Sequence, residues 1–291
     1  MHKQRLIVTH HAPDLDAIAS AWLLVKFDPQ KYYDAKVAFV DPGATITLQQ
    51  AEKYGCQLHE VTHVDTGLGK FDHHRPEQND PNICATTIVY DYLCELHPEI
   101  RNNKALHTLV NYVNEIDHFK EIHWPDPANP RYCLMIQELI KGHQFTDPHD
   151  NESQLYFGFK CLDYALAMLD EYHGALESIA SKGRIFETSV GECLAIETSN
   201  HAIMKVAQRQ GYVMVITKNV DKGNVNIKVR PDVAITLEKL HQMVLEKDPG
   251  ASWFYHNSGK MLINGSRKKR NQTPSKLSID QLIEITTSLN L

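Results

Sequence analysis

What this chain lacks narrows it before any motif does. No apolar run in its 291 residues approaches 18, the length a membrane helix needs, and the N-terminus has no apolar leader-like core. The chain reads as soluble and cytoplasmic, with no membrane partner. There is no C-x-x-C pair. The six cysteines, Cys56, Cys84, Cys94, Cys133, Cys161 and Cys193, are scattered, several beside apolar residues. Buried free thiols in a reducing compartment are expected. Positive charge is in deficit, with 30 Lys and Arg against 36 Asp and Glu and a formal net charge of −6. Stable duplex DNA binding relies on counterion release by basic faces, so that class is disfavoured. A short nucleotide whose charge is met by metal ions is still allowed. No internal repeat and no low-complexity segment is visible.

The length suits two domains, and 42% hydrophobic residues are enough for ordinary cores. The chain is organised around Thr9-His10-His11-Ala12-Pro13-Asp14-Leu15-Asp16-Ala17-Ile18-Ala19-Ser20. Leu6-Ile7-Val8 before it reads as a buried strand. Ile18, Ala21, Trp22 and Val25 after it recur at helical spacing. His10, Asp14 and Asp16 therefore lie in a strand-to-helix turn, where ligands sit in open α/β sheets. Pro13 stiffens the turn and keeps Ala12 out of the helical region. Asp16 can cap the new helix or point into the crevice.

Further on, Val37–Val40 and Val61–Val64 read as strands, and the second ends in Asp65-Thr66-Gly67. Phe71-Asp72-His73-His74-Arg75 follows. Two amphipathic helices come next, the second carrying Leu106, Leu109, Val110, Val113 and Ile116. It delivers Asp117 at its C-terminal end. The helix dipole opposes a carboxylate there by roughly a few tenths of a kcal/mol, so a cation partner is expected. Residues 120–150, rich in Pro and His, read as an irregular insertion, a candidate cover for the site. Glu152–Lys182 is a long helix ended by Gly183. Beyond it, strands near Cys193–Ile196, Tyr212–Thr217, Val225–Val229 and Met261–Asn264 alternate with helices near Ala202–Gln210 and Ile235–Lys247. A last helix starts at Ser278, where Ser278 and Gln281 have capping-box spacing. The fold expected is α/β, a mostly parallel sheet with helices on both faces, plus a smaller C-terminal α+β domain and a cleft between them. The division is a domain over residues 1–150 holding a metal site, a helical connector over 151–185, and the smaller substrate-binding domain over 186–291.

His10-x-x-x-Asp14-x-Asp16, Asp65-Thr66-Gly67, Asp72-His73-His74 and Asp117, in that order, resemble the DHH phosphoesterase superfamily, over roughly residues 4–120. That superfamily includes single-strand exonucleases, oligoribonucleases that also cleave phosphoadenosine phosphate, cyclic-dinucleotide phosphodiesterases and manganese-dependent inorganic pyrophosphatases. The resemblance implies a two-metal site. His10, Asp14 and Asp65 match the ligands of one metal. Asp16, Asp65, His73 and Asp117 match those of the other, with Asp65 bridging. Such a ligand set suits Mn²⁺, with Mg²⁺ or Co²⁺ as alternatives. The implied activity is hydrolysis of phosphate esters of nucleotides or short oligonucleotides. The implied substrate is a phosphorylated small molecule or a short single-stranded oligonucleotide, and a homodimer stays open.

The remaining residues are weighed singly. Asp72 is expected to orient His73. His74 either bonds a phosphate oxygen, protonates the leaving group or plays a structural part. Arg75 either forks onto a phosphate or is a solvated arginine. His11 is expected to pack. His107, His118, His123, His143 and His149 are expected on surfaces or loops. In the C-terminal domain the family's Gly-Gly-Gly-His loop has Trp253-Phe254-Tyr255-His256 as its nearest counterpart, followed by Ser258-Gly259. The histidine is kept and the glycines are not. Arg230, His256, Lys260 and Arg267 are the substrate-binding candidates, Arg267 opening a basic run through Lys268, Lys269 and Arg270. An inorganic pyrophosphatase or polyphosphatase is the alternative enzyme. A non-catalytic nucleotide-binding protein on the same scaffold is the other alternative.

Overall fold

Residues 4–75, 80, 82–265 and 271–289 are described by a computed structural model of the chain. In chain order the elements are β1 (Leu6–His10), α1 (Leu15–Phe27), α2 (Pro29–Tyr32), β2 (Lys36–Val40), α3 (Leu48–Lys53), β3 (Val61–His63), α4 (Ala85–Leu96), α5 (Lys104–Asp117), α6 (Ile136–Thr146) and α7 (Asn151–Lys182). Then come β4 (Arg184–Thr188), β5 (Gly191–Glu197), α8 (Ile203–Arg209), β6 (Met214–Lys218), β7 (Val225–Val229), α9 (Glu238–Lys247), β8 (Trp253–Tyr255), β9 (Met261–Asn264) and α10 (Ile279–Ser288). They form two compact units, Met1–Leu169 and Asp170–Leu291.

The first unit is built on a parallel sheet of order β2-β1-β3. Alternate residues of β1 face opposite ways. Ile7 joins the larger core with α1, α4 and α5, while Leu6 and Val8 join a smaller one with Ala38, Val40 and Ala51. Helices therefore cover both faces. Leu15–Leu24 of α1 is buried on every side, which is what a central helix between sheet and partner helices requires. The first half of α7 adds Leu155, Leu162 and Leu166 to this core.

The second unit is a six-stranded sheet of order β4-β5-β6-β7-β9-β8. Only β5 and β6 are parallel, and α8 connects them. The second half of α7 packs Ala175 and Ile179 beside Leu194 and Ile196 of β5. The helix stops at Gly183, where a Cβ would sit 2.5 Å from the Ile179 carbonyl oxygen. The Ser278–Gln281 capping box forms, with Gln281 N–H on Ser278 Oγ at 3.2 Å and Ser278 N–H on Gln281 Oε1 at 2.9 Å.

Three expectations are corrected. The stretch 120–150 is not irregular throughout, because α6 lies in it and anchors on the fully buried Ile140. Strands β4 and β8 were not foreseen; both are sheet edges, where one-sided burial blurs the alternation. Cys56, Cys84, Cys94 and Cys193 are buried thiols, but Cys133 is exposed and Cys161 half-buried. Among the described residues, no helix is long and apolar enough to cross a membrane.

Candidate metal centre

The turn after β1 is shaped by residues far along the chain. Ala12 sits in the left-handed region with φ of 51°. For a residue with a Cβ this costs roughly 1–2 kcal/mol. Its N–H is held by Asn151 Oδ1 at 2.8 Å, and its carbonyl accepts from Gln144 Nε2 at 3.2 Å. Buried Gln154 donates to the Pro13 carbonyl at 2.7 Å. The start of α7 thus fixes the turn that presents His10, Asp14 and Asp16.

The capping role falls to Asp14, whose Oδ1 accepts the Ala17 N–H at 3.0 Å. Asp16 instead crosses to the N-terminus of α4, where its two oxygens accept the Ala85 and Thr86 N–H groups, each at 2.8 Å. It is buried and locked in one orientation. After β3, Asp65 also adopts a left-handed conformation, with φ of 50°. Asp tolerates that region better than most residues. Gly67 follows with φ of 77°, and its Cα lies so close to the His63 ring that a Cβ would stand 3.0 Å from it.

These segments converge. Ligand-capable atoms of His10, Asp14 and Asp65 lie within 4.8 Å of one another, as do those of Asp16, His73 and Asp117, and those of Asp65, Asp72, His73 and His74. His73 joins the pieces: its Nδ1 is 3.5 Å from Asp65 Oδ1 and 3.6 Å from Asp16 Oδ2, and its Nε2 is 3.7 Å from Asp117 Oδ2. Asp65 Oδ1 and His73 Nδ1 are buried and have no hydrogen-bond partner among the described residues. A buried polar atom left unpaired costs about 1–3 kcal/mol. Both are atoms that a divalent cation accepts as ligands, so the residues present fit metal ions.

Protonation agrees with that fit. Burial, with Asp16 and His10 acting oppositely on it, leaves the Asp14 carboxyl above its ordinary range. Burial first, then the nearby carboxylates, pushes Asp65 well up, and burial followed by Asp16 and Asp14 pushes Asp117 up to about 7. Burial alone would lower His10, but the Asp65 hydrogen bond, the His11 carbonyl and the two charges outweigh it, raising it to about 9. Its Nδ1 faces the His11 carbonyl at 2.8 Å and its Nε2 faces Asp65 Oδ2 at 3.3 Å. The His11 carbonyl can only accept, so Nδ1 carries a proton, and Nε2 shares one with Asp65. Burial holds His73 below its ordinary value, which frees a lone pair. Carboxylates crowded this closely favour uptake of protons or of a cation, which is the electrostatic character of an acid-rich metal site.

Asp72 does not orient His73. Its oxygens accept the Leu68 N–H at 2.7 Å, the His74 N–H at 2.9 Å and His74 Nδ1 at 3.1 Å. The tight turn places those N–H groups nearest, so His74 is the ring it aligns. His74 is mostly exposed and stacks on His73 with centroids 3.9 Å apart. Arg75 Nε donates to the Asp72 carbonyl at 3.0 Å. His11 stacks on Phe39 and pairs with Asn151 at 2.9 Å. His118, expected on the surface, has its Nδ1 3.7 Å from Asp117 Oδ2 and 2.8 Å from the Asn114 carbonyl. Its position directly after Asp117 was the available signal.

The C-terminal candidates lie in the second unit and are engaged locally. Arg230 forks onto Asp232, with Nε–Oδ1 at 2.7 Å and Nη2–Oδ2 at 2.9 Å, and also reaches the Gly211 carbonyl at 2.8 Å. Lys260 donates to the Val233 and Ile235 carbonyls. His256 Nδ1 is 2.8 Å from Ser258 Oγ. Trp253 and Tyr255 pack against the core, whereas Phe254 is exposed. Arg267, Lys268, Lys269 and Arg270 lie outside the described residues.

No family model matches the sequence, and no curated protein matches it. Among solved structures, one similar chain is RecJ in complex with Mn²⁺ from Thermus thermophilus, at 12% identity and a TM-score of 0.29. The match covers 91% of this chain and 50% of that one, so the chain spans half of that protein's length. Another is the exonuclease RecJ bound to manganese, at 9% identity and a TM-score of 0.28, covering 99% of this chain and 90% of that one. Likeness at this level does not assign the chain to a family.

Proposed function

We propose that the chain is a metal-dependent phosphohydrolase that cleaves phosphate esters of nucleotides or short oligonucleotides. The observation that carries this reading is the pair of adjoining acid–histidine groups around buried Asp65, with Asp65 Oδ1 and His73 Nδ1 left unpartnered. His10, Asp14 and Asp65 would hold one divalent ion, and Asp16, Asp65, His73 and Asp117 a second, with Mn²⁺ favoured by the mixed carboxylate and imidazole set. Two such ions supply positive charge for phosphoryl oxygens and acidify water.

The chain's own groups do the rest. Asp16 is held in one orientation by the two α4 N–H groups, each of which donates to one of its oxygens. Asp72 accepts the Nδ1–H of His74, because a carboxylate has no proton to give. That fixes the Nδ1–H tautomer, so Nε2 is the nitrogen left to take up a proton and pass it to a leaving oxygen. Among the described residues Arg75 is tethered through Nε, so its two terminal nitrogens are left to fork onto a phosphate.

The test is turnover with Mn²⁺ of pyrophosphate, dinucleotides, phosphoadenosine phosphate and cyclic dinucleotides, followed by chromatography of the products, because a cleaved diester yields nucleotides and no free phosphate. Turnover of a nucleotidic substrate is expected. Turnover of pyrophosphate alone would favour the pyrophosphatase reading. Metal binding with no turnover of any would favour a binding protein.

A further inference from the structure

A cavity of about 940 Å³ opens in the C-terminal unit, walled by residues from Thr198 to Pro274. None of them belongs to the acid–histidine group. It lies where β5 and β6 end, with Thr198 following β5 and Asn219 following β6. These two strands are the parallel pair of the sheet, and the crevice beyond the carboxyl ends of such strands is where ligands settle in α/β folds.

The register determines which groups face it. Thr217 pairs with Asn226, and Lys228 stands two residues further along β7. Val225, Ile227 and Val229 turn the other way into the core, so Asn226 and Lys228 share the opposite face. Lys228 is half-buried and makes no hydrogen bond or ion pair with another described residue, and the Asn226 side chain makes none either. Nearby ammonium groups differ: Lys218 is bonded to the Leu277 carbonyl at 2.5 Å, and Lys260 to two carbonyls. Lys222 adds a second ammonium from a turn whose backbone is pinned by Asn219 Oδ1, which accepts the Asp221 and Lys222 N–H groups at 3.1 and 2.8 Å. Among the described residues of the wall, Asp221 is the one carboxylate. Two ammoniums, an unengaged amide and a hydroxyl around one void suit a multiply charged oxyanion, which accepts several bonds at once. The volume is at the upper end for small-molecule clefts, so more than a bare ion fits.

We propose that this cavity binds a phosphorylated small molecule of nucleoside-monophosphate size, its phosphate on Lys228 and Asn226. The proposal does not rest on the proposed metal chemistry. Calorimetric titration of the full chain in chelator tests it, with adenosine 5′-monophosphate, inorganic phosphate and adenosine as probes. Chelator removes the metal reading from the experiment. The monophosphate is expected to bind, inorganic phosphate to compete with it, and adenosine to bind at least about tenfold more weakly. Lys228→Met should weaken the monophosphate by about tenfold or more, and Asn226→Asp likewise, with unchanged circular dichroism and melting. No binding at millimolar monophosphate, equal affinity for adenosine, or wild-type affinity in both cavity variants would overturn the proposal.

Discussion

The charged groups of the two units are treated in opposite ways. In the first, carboxylates and imidazoles are gathered and left short: Asp65 Oδ1 and His73 Nδ1 lack partners, and Asp14, Asp65 and Asp117 are pushed up in pKa. In the second, the basic residues that looked functional by sequence position are already engaged by their neighbours, Arg230 by Asp232 and Lys260 by two carbonyls. Folding alone favours the second arrangement and penalises the first. A chain that keeps an uncompensated acidic group buried keeps it for something outside the chain. The residues to test are therefore those with missing partners, more than those with suggestive positions.

The largest effect should come from Asp65, since it is shared between both sets of ligands. Asp65→Ala should abolish turnover, losing more than the roughly 10- to 100-fold that supporting residues around metal ligands cost. Metal titration should show both ions weakened. Asp65→Asn separates charge from backbone, because Asn also tolerates the left-handed region. Without metal it should melt close to wild type, since burial and its acidic neighbours already push the Asp65 carboxyl toward its neutral form. Normal activity in Asp65→Ala would end the bridging role and erase the contrast between the units.

His74 comes next. It is exposed and aligned by Asp72, which is the placement of a proton donor more than of a ligand. His74→Ala should lower kcat by about a hundredfold or more while leaving metal affinity near wild type. The limb of the pH–rate profile that reports the donor should vanish. Equal losses in metal affinity and kcat would make His74 a ligand instead.

Metal removal gives a smaller but sharper comparison. Asp117 rises from 3.8 to about 7, chiefly through burial and then Asp16 and Asp14, and His10 from 6.5 to about 9. A group whose folded pKa is raised contributes stability that is complete below its unfolded value and lost as pH rises through the folded one. For Asp117 that window runs from about 4 to about 7, and for His10 from about 6.5 to about 9. The protein in chelator should therefore melt progressively lower between pH 5 and 9. Mn²⁺ should restore more stability at pH 8 than at pH 5.5, because binding displaces those protons. A melting temperature in chelator that stays flat or climbs over this range would show that the carboxylates are not crowded as described.

What could be read from the sequence follows the range of the forces involved. His10, Asp14, Asp65, His73 and Asp117 each stand at the end of a strand or helix with its own local signature, so their convergence was foreseeable. The partner of Asp16 was not: its oxygens serve N–H groups 69 and 70 residues away. The support of the Ala12 turn by Gln144, Asn151 and Gln154 was equally hidden, since those contacts span 132 to 141 residues. Helix α6 was obscured by the Pro-rich stretch before it. Lys228 carried no signal at all in sequence, because an ammonium without a partner is visible only once the strands are paired.

The smallest effect should come from Arg230, and it tests the other half of the comparison. Its guanidinium lies between Asp232 and the Gly211 carbonyl, a local clamp across the end of β7. The Asp232 hydrogen bond raises its pKa, and Asp232 is lowered in return. Exposed pairs of this kind contribute little, because solvent screens them. If the clamp is all Arg230 does, Arg230→Ala should leave KM and kcat for a nucleotide substrate close to wild type, and Asp232→Ala should behave the same way. A substrate contact predicts a different split. Arg230→Ala would then raise KM, while Asp232→Ala, by freeing the fork, would lower it. Opposite shifts in the two variants would mean that Arg230, like Lys228, is held for something outside the chain.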